Sequence, residues 1–351
     1  MLIRYAQRYQ NISVVRMRDH ADEALRVIQA HPESGANIGT ALHFAARSRM
    51  ILGDWAAAEP IYRQALVRLK GKPGGGGEQA VLNSLYLGDA LWRLQRFDEA
   101  EQLFRASLVM ARERGGERHR VTLFVSSWLG LFLVSSGRVD EGRALLDATL
   151  ATTLAELGEQ DTLETPNARS MSARGWLEQG QPARADALLS QVIASNSRHY
   201  ANSVVLAANL RDQARAWAEL GRHAAAQEQL RRALAMDRAA VGEGAEPIRF
   251  NDYHALLARS SLAQGDLRGA AAELALLAPA PASAHLPLPT FEVVGHLIRA
   301  GIAQAEQRHA DAVHEAQSAL VQVQGAPVRR YFPRLEAEAE QLLARLNVAP
   351  H

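Results

Sequence analysis

Seven tight-turn residues at a nearly constant spacing constrain this 351-residue chain more than any other feature. They are Gly53, Gln95, Gly137, Gly180, Gly221, Gly265 and Gln307, separated by 42, 42, 43, 41, 44 and 42 residues. A fixed period of this length belongs to stacked units that cannot bury an apolar face alone. Ala and Leu, both strong helix formers, dominate the composition, and the β-branched alternation of strands is scarce. The chain is expected to be all-α.

The steric pattern repeats in the same register. Seven residues before each turn stands a small residue: Ala46, Gly88, Gly130, Ala173, Ala214, Ala258 and Ala300. Five residues after it stands another: Ala58, Ala100, Gly142, Ala185, Ala226, Ala270 and Ala312. Nine after it comes a bulky filler, Tyr62, Phe104, Leu146, Leu189, Leu230 or Leu274, with Ala316 in the seventh unit. Two helices joined by a tight turn approach closely only where side chains are small. Each unit therefore reads as a helical hairpin.

The two small columns, the turn and the filler, in register over residues 38–322, resemble the tetratricopeptide repeat. Repeats of that family are about 34 residues long. The longer period here is similar to the kinesin-light-chain variety, and MARERGGERHRVTLFVSSWLGLFLVSSGR (110–138) matches it best. Gln at 95 and 307 departs from the turn glycine, and the seventh unit lacks its filler. The resemblance implies a right-handed α-solenoid of about seven hairpins between capping helices.

The divisions follow from that register. Residues 1–37 form an N-terminal capping region with an amphipathic helix at 11–30, and residues 38–278 hold repeats 1–6. The Pro-rich stretch 279–290 is a bend or a loop, and 291–351 holds repeat 7 and a closing helix at 331–347.

Catalytic chemistry finds no support. With no cysteine, the chain has no disulfide, thiolate metal site or cysteine nucleophile. GKPGGGGEQ (71–79) is glycine-rich, but its lysine precedes the glycines and no Gly-Lys-Ser/Thr follows, so it reads as an inter-repeat loop rather than a phosphate loop. Twelve histidines form no HExxH or His/Cys cluster; His254 and His296 occupy equivalent places in successive units, as packing or groove residues. No GxSxG elbow or kinase signature occurs. QRFDEAEQLF (95–104) resembles an acidic box, yet the register makes Asp98 and Glu99 the start of a second helix, where acids suit the dipole. We expect no catalytic, cofactor-binding or metal-ligating residues, and so no enzyme.

Net charge is +1, which gives no global attraction to nucleic acid or anionic membrane. No run of 18 apolar residues exists, and the first 15 residues lack an apolar core of signal-peptide length. A cytoplasmic location is the expectation.

In the family that the chain resembles, first helices line a concave groove where ligands lie. Six residues before the turn, a groove-facing place there, this chain has Arg47, Asp89, Leu131, Arg174, Arg215, Arg259 and Gly301. Arg211 lies one helical turn before Arg215. Arginine forks bind carboxylate in bidentate fashion, so Arg174, Arg211, Arg215 and Arg259, with Arg47, Asp89 and Trp92, are the candidate peptide-binding residues. The alternative is that these arginines pair with groove acids such as Asp212 and Glu219, or are solvated. Leu82, Leu85, Tyr86, Trp92, Phe124, Trp128 and Leu131 form a second surface, either core or aromatic anchors. The expected function is a protein-interaction scaffold that binds a partner's peptide segment, possessing an acidic stretch in one version. The second expectation is a regulatory or sensor module of a bacterial signalling protein whose kinase or DNA-binding domain lies elsewhere. The sequence leaves oligomeric state open.

Overall fold

The computed structural model describes residues 14–30, 38–70, 77–161, 163–199, 201–279, 289–325 and 333–348. These hold sixteen α-helices and no strand. Helix α1 spans Val14–Ala30. Seven hairpins follow: α2 (Ile38–Leu52) with α3 (Trp55–Lys70), and α4 (Gly77–Arg93) with α5 (Phe97–Gly115). Then come α6 (Arg120–Ser135) with α7 (Val139–Leu157), and α8 (Glu164–Glu178) with α9 (Pro182–His199). Helices α10 (Val204–Glu219) and α11 (His223–Val241) form the fifth, and α12 (Asn251–Ala263) and α13 (Leu267–Leu274) the sixth. Helices α14 (Pro289–Ala305) and α15 (His309–Gly325) complete the array, and α16 (Pro333–Val348) closes it. The molecule is an α-solenoid.

One turn design recurs seven times. All seven turn residues have positive φ, from 59° at Gln95 to 91° at Gly53. The N–H of the next residue reaches back to the carbonyl five positions earlier, as in Arg96 to Leu91, Arg138 to Leu133 and Arg308 to Ala303 (2.8–2.9 Å). This bond satisfies a terminal carbonyl and turns the chain by about one residue in the left-handed region. Gln95 and Gln307 adopt it despite the Cβ cost.

Helix contact explains the small columns. Every alanine in them is fully buried. A Cβ on Gly142 would stand 2.6 Å from the Gly130 carbonyl oxygen and 2.6 Å from the Val134 nitrogen, so α6 and α7 meet backbone to backbone. A Cβ on Gly88 would meet the Phe104 filler ring at 3.1 Å. The fillers Tyr62, Phe104, Leu189 and Leu230 are fully buried.

The acids of QRFDEAEQLF take part in a repeated ion-pair ladder between second helices. Arg96 reaches Glu59 and Glu99 (both 2.6 Å), and Arg63 also holds Glu59 (2.9 Å). Forty-two residues on, Arg138 reaches Glu101 (2.6 Å) and Arg105 holds Glu101 and Glu141 (both 2.8 Å). Hydrogen bonding to Arg96 pulls Glu99 below its ordinary carboxylate range. Burial opposes ionisation of Glu101, but Arg105 and Arg138 outweigh it and lower its pKa. Both carboxylates belong to stacking, not to acid–base work.

The sixth hairpin differs from its expected length. Its second helix spans only Leu267–Leu274, four residues short of the repeat boundary at 278. The buried Asn251 side chain holds the segment that follows α13, accepting from Ala278 N–H (2.9 Å) and donating to Ala278 C=O (2.8 Å). Most of the Pro-rich stretch, 280–288, and residues 71–76 of the glycine-rich loop lie outside the described residues. Helix α4 begins at Gly77, so the glycine-rich loop is shorter than expected, whereas the early end of α13 leaves 275–288 between it and α14, which begins at Pro289. The closing helix packs on the last hairpin: Ala339, Leu342 and Leu346 are buried with α14 and α15, and Leu335 and Leu343 are partly buried.

Candidate functional site

The solenoid closes on itself in two places, and a channel results. The loop after α11 returns to the first hairpin. There the Glu246 N–H donates to the Leu52 carbonyl (2.8 Å), and Arg249 donates to the Ile51 carbonyl, 198 positions away. Gly53 fits this junction because a Cβ would press on Arg249 and Glu246 at 3.2 and 3.3 Å. Val14, Leu52 and Val241 pack into one apolar cluster beside it. Arg249 also holds the buried Asp237 (2.6 Å).

The second closure comes from α16. Arg334 donates to the Leu177 carbonyl and pairs with Glu219 (2.9 Å), reaching the ends of α8 and α10. Glu338 takes both arms of the Arg259 fork, at 2.7 and 3.1 Å.

Between these closures lies a concave channel of about 1080 Å³, lined from α1 to α16. It is at the upper end of ordinary ligand pockets, about 1,000 Å³. All seven candidate residues, Arg47, Asp89, Trp92, Arg174, Arg211, Arg215 and Arg259, lie on its wall. The structure gives them different surroundings.

The wall of repeats 4–6 is ionic and internally balanced. Asp212 accepts from Arg174 Nε (2.6 Å) and from Arg211 Nη2 (2.9 Å). Arg211 also pairs with Asp252 (3.3 Å). Arg215 bridges Glu178 (2.7 Å) and Glu219 (3.2 Å). Burial works against the Asp212 carboxylate, yet Arg174 and Arg211 outweigh it and hold its pKa at about 2. Arg174, Arg211 and Arg215 are thus paired with acids of the wall, and Arg259 with Glu338 of α16.

The wall of repeats 1–3 is aromatic. Nine residues before the turn, successive first helices present Phe44, Tyr86, Trp128 and Met171, all on the channel. Tyr86 meets Phe124 edge-on at 6.4 Å, and Phe124 meets Trp128 at 6.4 Å. Trp92 is partly buried and packs edge-on against Phe104 and Phe132. Leu82, Leu85 and Leu131 are core. The Trp128 indole N–H has no acceptor among the described residues, and Trp128 is 8% exposed. Arg47 lies over the Tyr86 ring, 4.4 Å from its centroid. Asp89 is buried and accepts from Arg93 (3.2 Å).

Beneath this wall His43 is buried against Asn83 (3.0 Å). Asn83 spends its amide N–H on the Gln79 carbonyl, so its oxygen faces the ring and His43 Nδ1 carries the proton. Burial, partly offset by Asn83 and reinforced by Arg47, pulls the His43 pKa down to about 4. His254 and His296 hold Glu273 (2.7 Å) and Glu315 (2.6 Å) in matching hairpins, a packing role.

Sequence reasoning missed the α16 residues Arg334 and Glu338, and Arg249. It named Tyr86, Phe124 and Trp128 of the aromatic wall but not Phe44, which reading nine residues before each turn would have found. Among the described residues no group of three His, Asp or Glu converges as a metal site, and no helix is long and apolar enough to cross a membrane.

Comparison with known proteins gives the fold a family context. Residues 37–113 match the family model of the tetratricopeptide repeat. No curated protein matches the chain in sequence. Among solved structures, the Rap protein complexed with competence and sporulation factor is 11% identical, with a TM-score of 0.57; the alignment covers 93% of this chain and 79% of that one. NprR in complex with its cognate peptide NprX is 14% identical, with a TM-score of 0.54 and coverage of 96% and 99%. The Cut9–Hcn1 hetero-tetramer of APC/C is 12% identical, with a TM-score of 0.59 and coverage of 93% and 59%.

Proposed function

We propose that this chain, a solenoid of tetratricopeptide-type hairpins, is a non-catalytic interaction protein that takes an extended peptide segment of a partner into its channel. One observation carries the reading: a preformed channel of about 1080 Å³ with one aromatic wall and one ionic wall. Aromatic side chains give large contact area at small entropic cost and serve as anchors. The two closures fix the wall before ligand arrives, which lowers the ordering cost of binding. Rap and NprR, described in complexes with a factor and a cognate peptide, share this fold, which fits a peptide ligand.

The second reading is a regulatory module, cytoplasmic and bacterial, whose effector domain belongs to another protein or another part of the same one. The α16 contacts across the channel favour it, because occupancy and the position of α16 would be linked through Arg259 and Glu338.

The test is retention of a pooled library of N-acetylated heptapeptides on the immobilised chain. Trp128→Ala is expected to weaken retention, whereas Val109→Ala, on an exposed helix position away from the channel, leaves it unchanged. Equal retention by Trp128→Ala and wild type rejects the aromatic wall.

A further inference from the structure

Among the described residues, one arginine of the channel wall is without an ion pair, and among its acids Glu164 has none either. Every other arginine of the wall forms an ion pair with a carboxylate. Arg47 forms no ion pair or hydrogen bond among the described residues. Its guanidinium lies 4.4 Å from the centroid of Tyr86. Stacking occupies the face of the guanidinium and leaves its in-plane N–H fork without an acceptor.

The carboxylate that Arg47 feels is that of Asp89, which is hydrogen-bonded to Arg93 instead. Asp89 thus serves Arg93, and Arg47 keeps no carboxylate of its own beside Phe44 and Tyr86. A partly buried cation with an unfilled fork gains a charge-assisted hydrogen bond from an incoming anion without first giving up a carboxylate partner. The ionic wall offers no such gain. A new carboxylate at Arg174, Arg211 or Arg215 has to displace Asp212, Glu178 or Glu219 first.

We propose that Arg47 is the specificity residue of the channel and takes one carboxylate of a peptide whose neighbouring apolar side chains lie along Phe44, Tyr86 and Trp128. The inference rests on the channel reading above. It moves the acid-binding point from the arginines of repeats 4–6 to repeat 1. The carboxylate belongs either to an Asp or Glu side chain or to a free C-terminus.

Two pools of N-acetylated random heptapeptides, one with free C-termini and one with C-terminal amides, are passed over the immobilised full chain. Retained peptides are sequenced by mass spectrometry for wild type, Arg47→Met and Arg215→Met. Methionine keeps an apolar side chain against Tyr86 and removes the charge. Wild type is expected to select apolar peptides that carry an acid at one fixed position, or to favour the free C-terminus. Arg47→Met is expected to keep the apolar selection and to lose the acid preference by about tenfold or more, the scale of one charge-assisted hydrogen bond. Arg215→Met is expected to keep the acid preference. Acid preference surviving in Arg47→Met, lost only in Arg215→Met, or absent in wild type overturns the inference and leaves the channel reading standing. No retention by wild type from either pool overturns both.

Discussion

Arg174 and Asp212, 38 residues apart and one repeat apart, meet at 2.6 Å on the channel wall, and Arg211 closes on the second oxygen of the same carboxylate. Two guanidinium groups converge on one buried acid. Asp212→Ala leaves both without that partner. It is expected to destabilise the fold by about 2–4 kcal/mol, the scale of breaking a buried pair from one side. Urea denaturation measures the loss, and a change below about 0.5 kcal/mol would mean that solvent replaces the carboxylate freely.

The same pair sets an acid limit. Asp212 has a folded pKa of about 2 against an ordinary 3.8. A depressed carboxylate contributes stability that is present above 3.8 and is lost as pH falls through about 2. Denaturation midpoints of wild type are expected to fall faster than those of Asp212→Asn over that window.

His43 titrates in a different window. Its folded pKa of about 4 lies below the ordinary 6.5, so the unfolded chain takes up the proton first. Its contribution to stability is complete above 6.5 and is lost as pH falls toward 4. Proton NMR of the imidazole is expected to give a midpoint near 4 in wild type and a higher one in Arg47→Met, because Arg47 is one of the causes of the depression. An unchanged midpoint would separate the two groups electrostatically.

Backbone contacts give the sharpest mutational contrast. Gly142→Ala places a Cβ 2.6 Å from the Gly130 carbonyl oxygen and is expected to cost about 3 kcal/mol or more as α6 and α7 are forced apart. Gln307→Gly relieves a left-handed residue on an exposed turn and is expected to stabilise by up to about 1 kcal/mol. Thermal unfolding compares the two.

The closure at Arg249 is testable in solution. Arg249→Ala removes the donor to Ile51 and leaves Asp237 buried without its ion pair. We expect a larger radius of gyration by small-angle X-ray scattering as the first and fifth hairpins part, with helix content unchanged. A radius equal to that of wild type would mean that the Val14–Leu52–Val241 cluster holds the junction alone.

The hairpins were legible in the sequence because sterics act locally. A turn residue with positive φ, two small contact residues and a filler must recur wherever two helices pack in this way, as at Gly130, Gly137, Gly142 and Leu146. The candidate wall was legible for the same reason, since the column six residues before the turn faces the channel throughout repeats 1, 2 and 4–6. Pairing on that wall was not legible. Whether Arg215 finds Glu178 or an incoming ligand depends on the offset between neighbouring first helices. The closures were least accessible. Arg249 meeting Ile51, and Arg334 meeting Leu177, result from small rotations summed over several repeats, and no local pattern encodes them.

The channel itself can be blocked without touching a charge. Ala208 is partly exposed on the wall of α10, opposite no ion pair of its own. Ala208→Trp fills space there, and circular dichroism establishes that the helices remain. Retention of the heptapeptide pool by this variant against wild type is the most direct measurement. Binding in the channel predicts that Ala208→Trp loses most of the retained peptide while folding normally. Undiminished retention by a folded Ala208→Trp would place binding elsewhere on the molecule and contradict the account.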